Sequence, residues 1–342
     1  VGLTAKNNSK EKCIYSEENN QEIVKKVENI NPYLGEGKVI FVEGRNENIN
    51  RGLPNMVLGN MAKDDGNLIL TNDEKEKLLE EYPQLRKVLK KYIGSKEFIS
   101  RKHRWVLWFD DDNIKLYKDI PFVKDRLEKV EKWRASSTSD IARKYASRPH
   151  LFIQRGEYNK AVESSKENDI EMYNIVIPRT SSENRLYVPM GIVENDEYII
   201  SDGAQVIYNA PLYLLGILQS RIHMVWLKNI GGKLKTDYRY SYTLVYNPFP
   251  IPELNEDDIN ELENRISEVL DVRDEELLSL AELYGSPLAK KNSKAMNERL
   301  LNAHKALDRY VDKLYSKKQF SNDEERLSVL LKMYQQKIDE KK

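Results

Sequence analysis

The sequence predicts an α+β protein, with a mixed α/β region followed by a small all-α helical bundle. Three observations carry this. As far as Tyr246, short apolar or aromatic runs bounded by turn residues alternate with helical stripes. At Asn247-Pro-Phe-Pro-Ile-Pro252 the composition breaks into a stretch that sustains neither a helix nor a central strand. Beyond it, only helical periodicity remains.

Taken in order, Val1–Thr4 reads as the tail of a strand at a fragment-like start, with no signal-peptide pattern behind it. Ser16–Asn31 is a polar connection with a short amphipathic piece, Ile23, Val24 and Val27. Thr71-Asn-Asp-Glu74 is a capping box that opens a helix through Leu78 and Leu79. Pro83 interrupts this helix, which is expected to resume through Leu85, Val88, Leu89 and Tyr92 and to end at Gly94. Arg104–Phe109 is a strand candidate. Pro121 suits a first helical residue before Phe122, Val123, Arg126, Leu127, Val130 and Trp133. Leu151–Ile153, Ile175–Pro178, Leu186–Val188 and Tyr198–Ile200 are expected as short strands. The most apolar segment, Asn209–Asn229, reads as one buried helix capped by Asn209 and stopped by Gly231-Gly232. A membrane span is disfavoured because Gln219, Arg221 and His223 lie inside it. A loop, Gly231–Arg239, and a strand-like run, Tyr240–Tyr246, complete the region. Three helical stripes follow, on Ile259–Leu270, Leu300–Leu314 and Leu327–Tyr334, the last opened by Ser321-Asn-Asp-Glu324.

With 342 residues, 40% of them apolar, the chain can supply cores for two or three domains. Divisions at 1–29, 30–250 and 251–342 follow from the pattern. A lone cysteine, Cys13, excludes an intramolecular disulfide and fits a reducing, cytoplasmic compartment. The four histidines lie far apart in sequence, so no structural zinc pattern is present. Fifty-five basic and fifty-five acidic side chains cancel, but unevenly. Residues 251–342 hold 16 Lys/Arg against 20 Asp/Glu. Residues 132–160 hold seven basic side chains (Lys132, Arg134, Arg143, Lys144, Arg148, Arg155 and Lys160) against Asp140 and Glu157. Residues 205–250 hold Arg221, Lys228, Lys233, Lys235 and Arg239 against Asp237 alone. Clustered positive charge on a neutral chain is the footprint of a polyanion partner.

No catalytic constellation is legible. Asn31-Pro-Tyr33 and Asn247-Pro-Phe-Pro250 lack the second adjacent proline of an amino-methyltransferase loop and read as linkers. Gly35-Glu-Gly37 has no βαβ context, and Glu36-Gly-Lys38 is half of a metal-nuclease pattern without its upstream acid. The carboxylate pairs at Asp64-Asp65 and Asp110–Asp112 fit turns. No metal site is expected.

The segment Gly231–Ser241 differs, because an extended conformation would put Lys235, Asp237 and Arg239 on one face. Lysine can donate to guanine O6 and N7, while aspartate can accept from the amino group of the paired cytosine. Arg239 can read another base or hold a phosphate. An ordinary surface Lys–Asp ion pair is the alternative.

Ordered segments then resemble the target-recognition and C-terminal portions of the MmeI-like (type IIL) restriction–modification enzymes. They are Ile30–Leu34, Pro54–Ala62, Asp65–Thr71, Tyr92–Ser95, Phe98-Ile99 and Arg104–Trp108. Further along come Ile177–Glu183, Tyr187–Gly191, Ser201–Ala204, Gly216–Leu218, His223-Met224 and Tyr238–Ser241, then Val245–Asn247, Phe249-Pro250 and Ala303–Arg309.

The resemblance implies a nuclease domain and an adenine methyltransferase core upstream, with residues 1–29 as the tail of that core. It implies double-stranded DNA as partner, with S-adenosylmethionine, and magnesium for cleavage, used by the upstream domains and no cofactor in this chain. A recognition domain of this kind docks in the major groove while one adenine flips into the methyltransferase pocket. The resemblance further implies that Lys235 and Asp237 specify a guanine, and that Gly203 and Arg239 read a neighbouring pair. Glycine at 203 departs from the commoner pattern, which has a side chain there. Lys233, Arg143, Lys144 and Arg155 are the candidate backbone contacts. Two other expectations stand beside this one: a self-contained nuclease using Glu36 and Lys38, and a protein-interaction scaffold built on the acidic helices.

Overall fold

The computed structural model describes residues 12–18, 21–155, 173–194, 197–285 and 295–340. Val1–Thr4, Glu157 and Lys160 lie outside them. The amino-terminal connection is a two-stranded antiparallel ribbon, β1 (Lys12–Glu18) with β2 (Gln21–Val27), rather than a coil with a helical piece. Ile23 and Val24, adjacent on the strand and so on opposite faces of the ribbon, are both exposed and mark no buried helix face. Asn31 then folds the chain back, its Oδ1 accepting from the backbone N–H groups of Tyr33 and Gly35.

Two four-stranded sheets form the mixed region. One is ordered β10-β5-β6-β4, from β4 (Ile69–Leu70), β5 (Leu89–Ile93), β6 (Arg104–Leu107) and β10 (Tyr198–Ile200). The capping box at Thr71 is present and opens α1 (Asn72–Glu81). After Pro83 the helix does not resume. A 3-10 turn, Pro83–Val88, leads into β5 instead. Leu89, Tyr92 and Ile93 fit either period over so short a run, and pairing with β6 decides for strand. After α2 (Ser95–Ile99) and α3 (Ile114–Tyr117), Pro121 opens α4 (Pro121–Ala135) as expected.

Near the end of α4, Arg134 is fully buried and donates to the carbonyls of Ala62, Lys63, Tyr145, Arg148 and Leu151. It therefore staples three segments together and is not part of a polyanion footprint. Leu151–Ile153 is buried without being a strand.

The second sheet is antiparallel, ordered β3-β11-β7-β9, from β3 (Met56–Leu58), β7 (Tyr173–Pro178), β9 (Gly191–Val193) and β11 (Ala204–Ala210). It separates two cores. Ile175, Ile177 and Ile207 enter the larger one, while Val176, Ala204 and Val206 enter the other, as alternation along a strand requires. Leu186–Val188 is irregular rather than a strand.

Asn209–Asn229 is two helices, α6 (Leu212–Leu218) and α7 (Arg221–Ile230), and Asn209 belongs to β11 with φ of 49° instead of capping a helix. The break falls where polar groups need partners. The Gln219 amide donates to the Val188 carbonyl and accepts from Arg273, and the Ser220 hydroxyl caps α7. Tyr242–Tyr246 is a π-helical turn and not a strand, closed by the Asn247 N–H on the Tyr242 carbonyl, while the Gln205 side chain holds its entry by bonding Tyr240 O and Tyr242 N. The C-terminal helices are α8 (Glu256–Glu275), α9 (Leu280–Leu283), α10 (Glu298–Tyr315) and α11 (Asp323–Asp339). Asn322, one residue later than expected, caps the last. Leu262, Ile266, Leu307 and Leu330 share one continuous core with Leu215, Val225 and Trp226 of α6 and α7. No described helix is long and apolar enough to cross a membrane.

Candidate nucleic-acid interface

The segment after α7 is a tight hairpin of β12 (Gly232–Leu234) and β13 (Asp237–Arg239), with Leu234 opposite Asp237 and Gly232 opposite Arg239. The backbone starts it at Gly231, whose N–H bonds the Leu227 carbonyl and where a Cβ would fall 2.5 Å from that oxygen. Lys235 is not in a strand, as an extended loop would have it. It is the first residue of the two-residue turn, with φ of 57°. Primed hairpin turns need a positive φ there, and a lysine meets that need at a strain of roughly 1–2 kcal/mol.

Asp237 and Arg239 do share an exposed face, with Tyr238 turned inward between them. The side chains of Lys235, Asp237 and Arg239 are exposed and have no hydrogen-bond or ion-pair partner among the described residues, so no Lys235–Asp237 pair quenches them. Lys233 is also exposed, its Nζ 5.7 Å from the centre of the Tyr238 ring.

Rigid elements hold the base of the hairpin. β13 pairs on its other edge with β8 (Thr180–Ser181), the continuation of β7. Tyr240, directly after β13, donates its N–H to the Arg179 carbonyl, and its hydroxyl is 2.8 Å from His223 Nε2 on α7. Both side chains are buried. Burial raises the Tyr240 phenol well above its usual range and pushes His223 down to about 3, so the imidazole is neutral.

Gly203 stands on the turn Ser201–Gly203, exposed and tied to the same frame. Arg179 Nη1 donates to the Asp202 carbonyl at 2.9 Å, and Ser95 Oγ bonds both Gly203 O and Arg179 N. Because Thr180 pairs with Arg239 while Arg179 holds Asp202, one dipeptide links Gly203 to the hairpin. A Cβ at 203 would meet Ser201 Oγ at 3.2 Å, Gly94 Cα at 3.6 Å and Ser95 N at 3.8 Å, so a small side chain fits with slight adjustment.

The structure does not gather the remaining candidates at this place. Arg143 and Lys144 lie on α5 (Asp140–Lys144), where Arg143 is engaged by Asp140 and by the Ser137 carbonyl. Arg155 packs its guanidinium 4.5 Å over the Trp108 ring, half-buried. The sequence reading missed Arg179 and Ser95. Both fall inside stretches it quoted, but only the fold shows that they brace the 201–203 turn. The Asn31 and Asn247 pairs are structural, as read. Asn247 Nδ2 donates to the carbonyls of Arg45 and Asn46. Glu36 is ion-paired with Lys25 at 2.8 Å.

The protein is thus a mixed α/β scaffold that presents an exposed, charged hairpin, with helices packed behind it. The chain belongs to the MmeI family: residues 36–253 match its target recognition domain and residues 254–340 its C-terminal domain. It is 43% identical over 315 residues to DNA methyltransferase A of Bacillus subtilis (strain 168), an alignment covering 92% of this chain and 33% of that protein. It superposes with a TM-score of 0.81 and 34% identity on the type IIL restriction–modification enzyme MmeI, solved in complex with DNA, covering 97% of this chain and 42% of that one. The chain thus spans well under half the length of these relatives.

Proposed function

We propose that this chain reads the base sequence of double-stranded DNA on behalf of a methyltransferase core elsewhere in the same polypeptide. One observation carries the reading. Lys235, Asp237 and Arg239 project unpaired from a hairpin whose base is fixed by Tyr238, Tyr240 and the β8 pairing. Exposed and unpaired on a fixed frame, these ionised groups are free to meet a base edge, where a good bidentate contact discriminates by about 1–3 kcal/mol. Lys235 donates to a guanine, Asp237 accepts from the paired cytosine, and Arg239 with the Gly203 turn meets the adjoining pair. The relatives' names, a DNA methyltransferase and a restriction–modification enzyme, supply the chemistry this reading serves. Adenine methylation with S-adenosylmethionine, and cleavage with magnesium, belong in this proposal to the rest of the protein.

The test is the double variant Lys235→Glu, Asp237→Arg in the intact protein, with methylated sites mapped across a genomic DNA substrate. Preference is expected to move from G to C at one position of the site. An unchanged methylated sequence refutes these residues as readers. Turnover of DNA by this chain alone with magnesium would instead favour a nuclease built on Glu36 and Lys38.

A further inference from the structure

The C-terminal helices carry a net negative charge in sum, yet one face of them is basic. Lys305, Arg309 and Lys313 recur every four residues along α10, so they form a single ridge about 12 Å long. Lys317 and Lys318 extend it past the helix end, and all five are exposed. Together they line a groove of about 720 Å³.

The carboxylates of the same groove are already engaged. Glu261 holds Arg265 at 2.7 Å and Asp312 holds Arg326 at 2.5 Å. Asp308 accepts from the Tyr187 hydroxyl and the Arg221 N–H, each at 2.6 Å. The five ridge cations have no carboxylate partner among the described residues.

The groove is coupled to the hairpin. Asp323 binds both Arg326, which lines the groove, and Arg221, the first residue of α7. The far end of that ten-residue helix leads into the hairpin, about 15 Å away along its axis. A reader seated in a major groove about 12 Å wide has a sugar-phosphate strand along each flank.

We propose that this ridge is a second DNA-binding surface, one that grips the phosphate backbone flanking the bases read by the hairpin. It rests on the recognition reading above and assigns the C-terminal helices a part in it: affinity without sequence preference, because phosphates are alike at every base pair.

The experiment is Lys305→Gln, Arg309→Gln, Lys313→Gln in the intact protein, titrated with fluorescent mixed-sequence duplex DNA over a range of salt, and a second variant, Lys317→Gln, Lys318→Gln. Each lost phosphate contact should flatten the slope of log affinity against log salt by about 0.9, to a total of about 2.7 for the triple variant. The methylated sequence should not change. A slope equal to that of the unmodified protein overturns the proposal, as does loss of binding to an acidic polypeptide with DNA binding intact. If that happens while the Lys235, Asp237 variant still shifts the methylated base, only the ridge assignment falls. If the unmodified protein shows no salt-dependent DNA binding, the recognition reading falls and the ridge with it.

Discussion

His223 makes the hairpin's support sensitive to acid. Its ring is fully buried, 2.8 Å from the Tyr240 hydroxyl and edge-on to Phe249 at 4.5 Å, and its Nδ1 has no partner among the described residues. Burial lowers its pKa from 6.5 to about 3, so between those values the unfolded chain takes up a proton that the folded one refuses. Its contribution to stability is complete above 6.5 and is lost as pH falls below it. At about pH 5 the loss is RT ln(1 + 10^1.5), about 2 kcal/mol.

Asp308 has the opposite sign. Burial raises it from 3.8 to about 6, so its folded form gains a proton first as the pH is lowered. That offsets the loss by about 1.4 kcal/mol at about pH 5. His304, also held neutral by burial, adds to the His223 direction. The wild-type profile alone is therefore a poor readout, and the His223→Gln variant isolates the group. Urea unfolding, followed by fluorescence with Trp226 buried in the same core, should show the stability difference between wild type and variant changing by about 2 kcal/mol between about pH 8 and pH 5, in the variant's favour at low pH. A difference that stays constant with pH would refute the assignment of a neutral, desolvated imidazole.

Three further outcomes follow from the geometry. Lys235→Gly should stabilise the chain in urea unfolding by roughly 1 kcal/mol, because glycine takes the positive φ without strain, while base preference at the site weakens in methylation mapping. Arg134→Leu should lower stability by at least about 3 kcal/mol in the same assay, since five carbonyls lose one shared donor. Gly59→Ala would put a Cβ 2.1 Å from the Ser201 carbonyl oxygen, so it should cost about 1–3 kcal/mol and displace the 201–203 turn, altering site preference at the pair assigned to Gly203 and Arg239.

The continuous core also fixes how the hairpin is held. Gln219, at the break between α6 and α7, accepts from Arg273 of α8 and from Tyr284, and its carbonyl meets His304 of α10. The helix that positions the hairpin is therefore locked against the C-terminal helices by buried polar contacts as well as apolar packing. Such contacts fix one register, because any slip would leave buried donors and acceptors unpaired.

Much of the fold was legible in the residues alone. The Thr71 capping box, Pro121 at a helix start, the strands at Ile175–Pro178 and Tyr198–Ile200 and the three long C-terminal helices follow from local rules of capping and periodicity. The α+β class, the family resemblance and the chemistry of Lys235, Asp237 and Arg239 were likewise readable, since residue type and spacing state which hydrogen bonds a side chain can offer. Tertiary structure decided the rest. Whether Leu85–Tyr92 is helix or strand depended on β6 lying alongside, and whether Asn209–Asn229 is one helix or two depended on what Gln219 and Ser220 could bond to. The same holds elsewhere: that Lys235 occupies a turn, that Gly203 is tied to the hairpin through Arg179, and that Arg134 is a buried staple are facts about partners distant in sequence. A local pattern encodes what a backbone prefers and what a side chain can donate or accept. Only the packed chain determines which of those groups are satisfied internally and which are left facing outward.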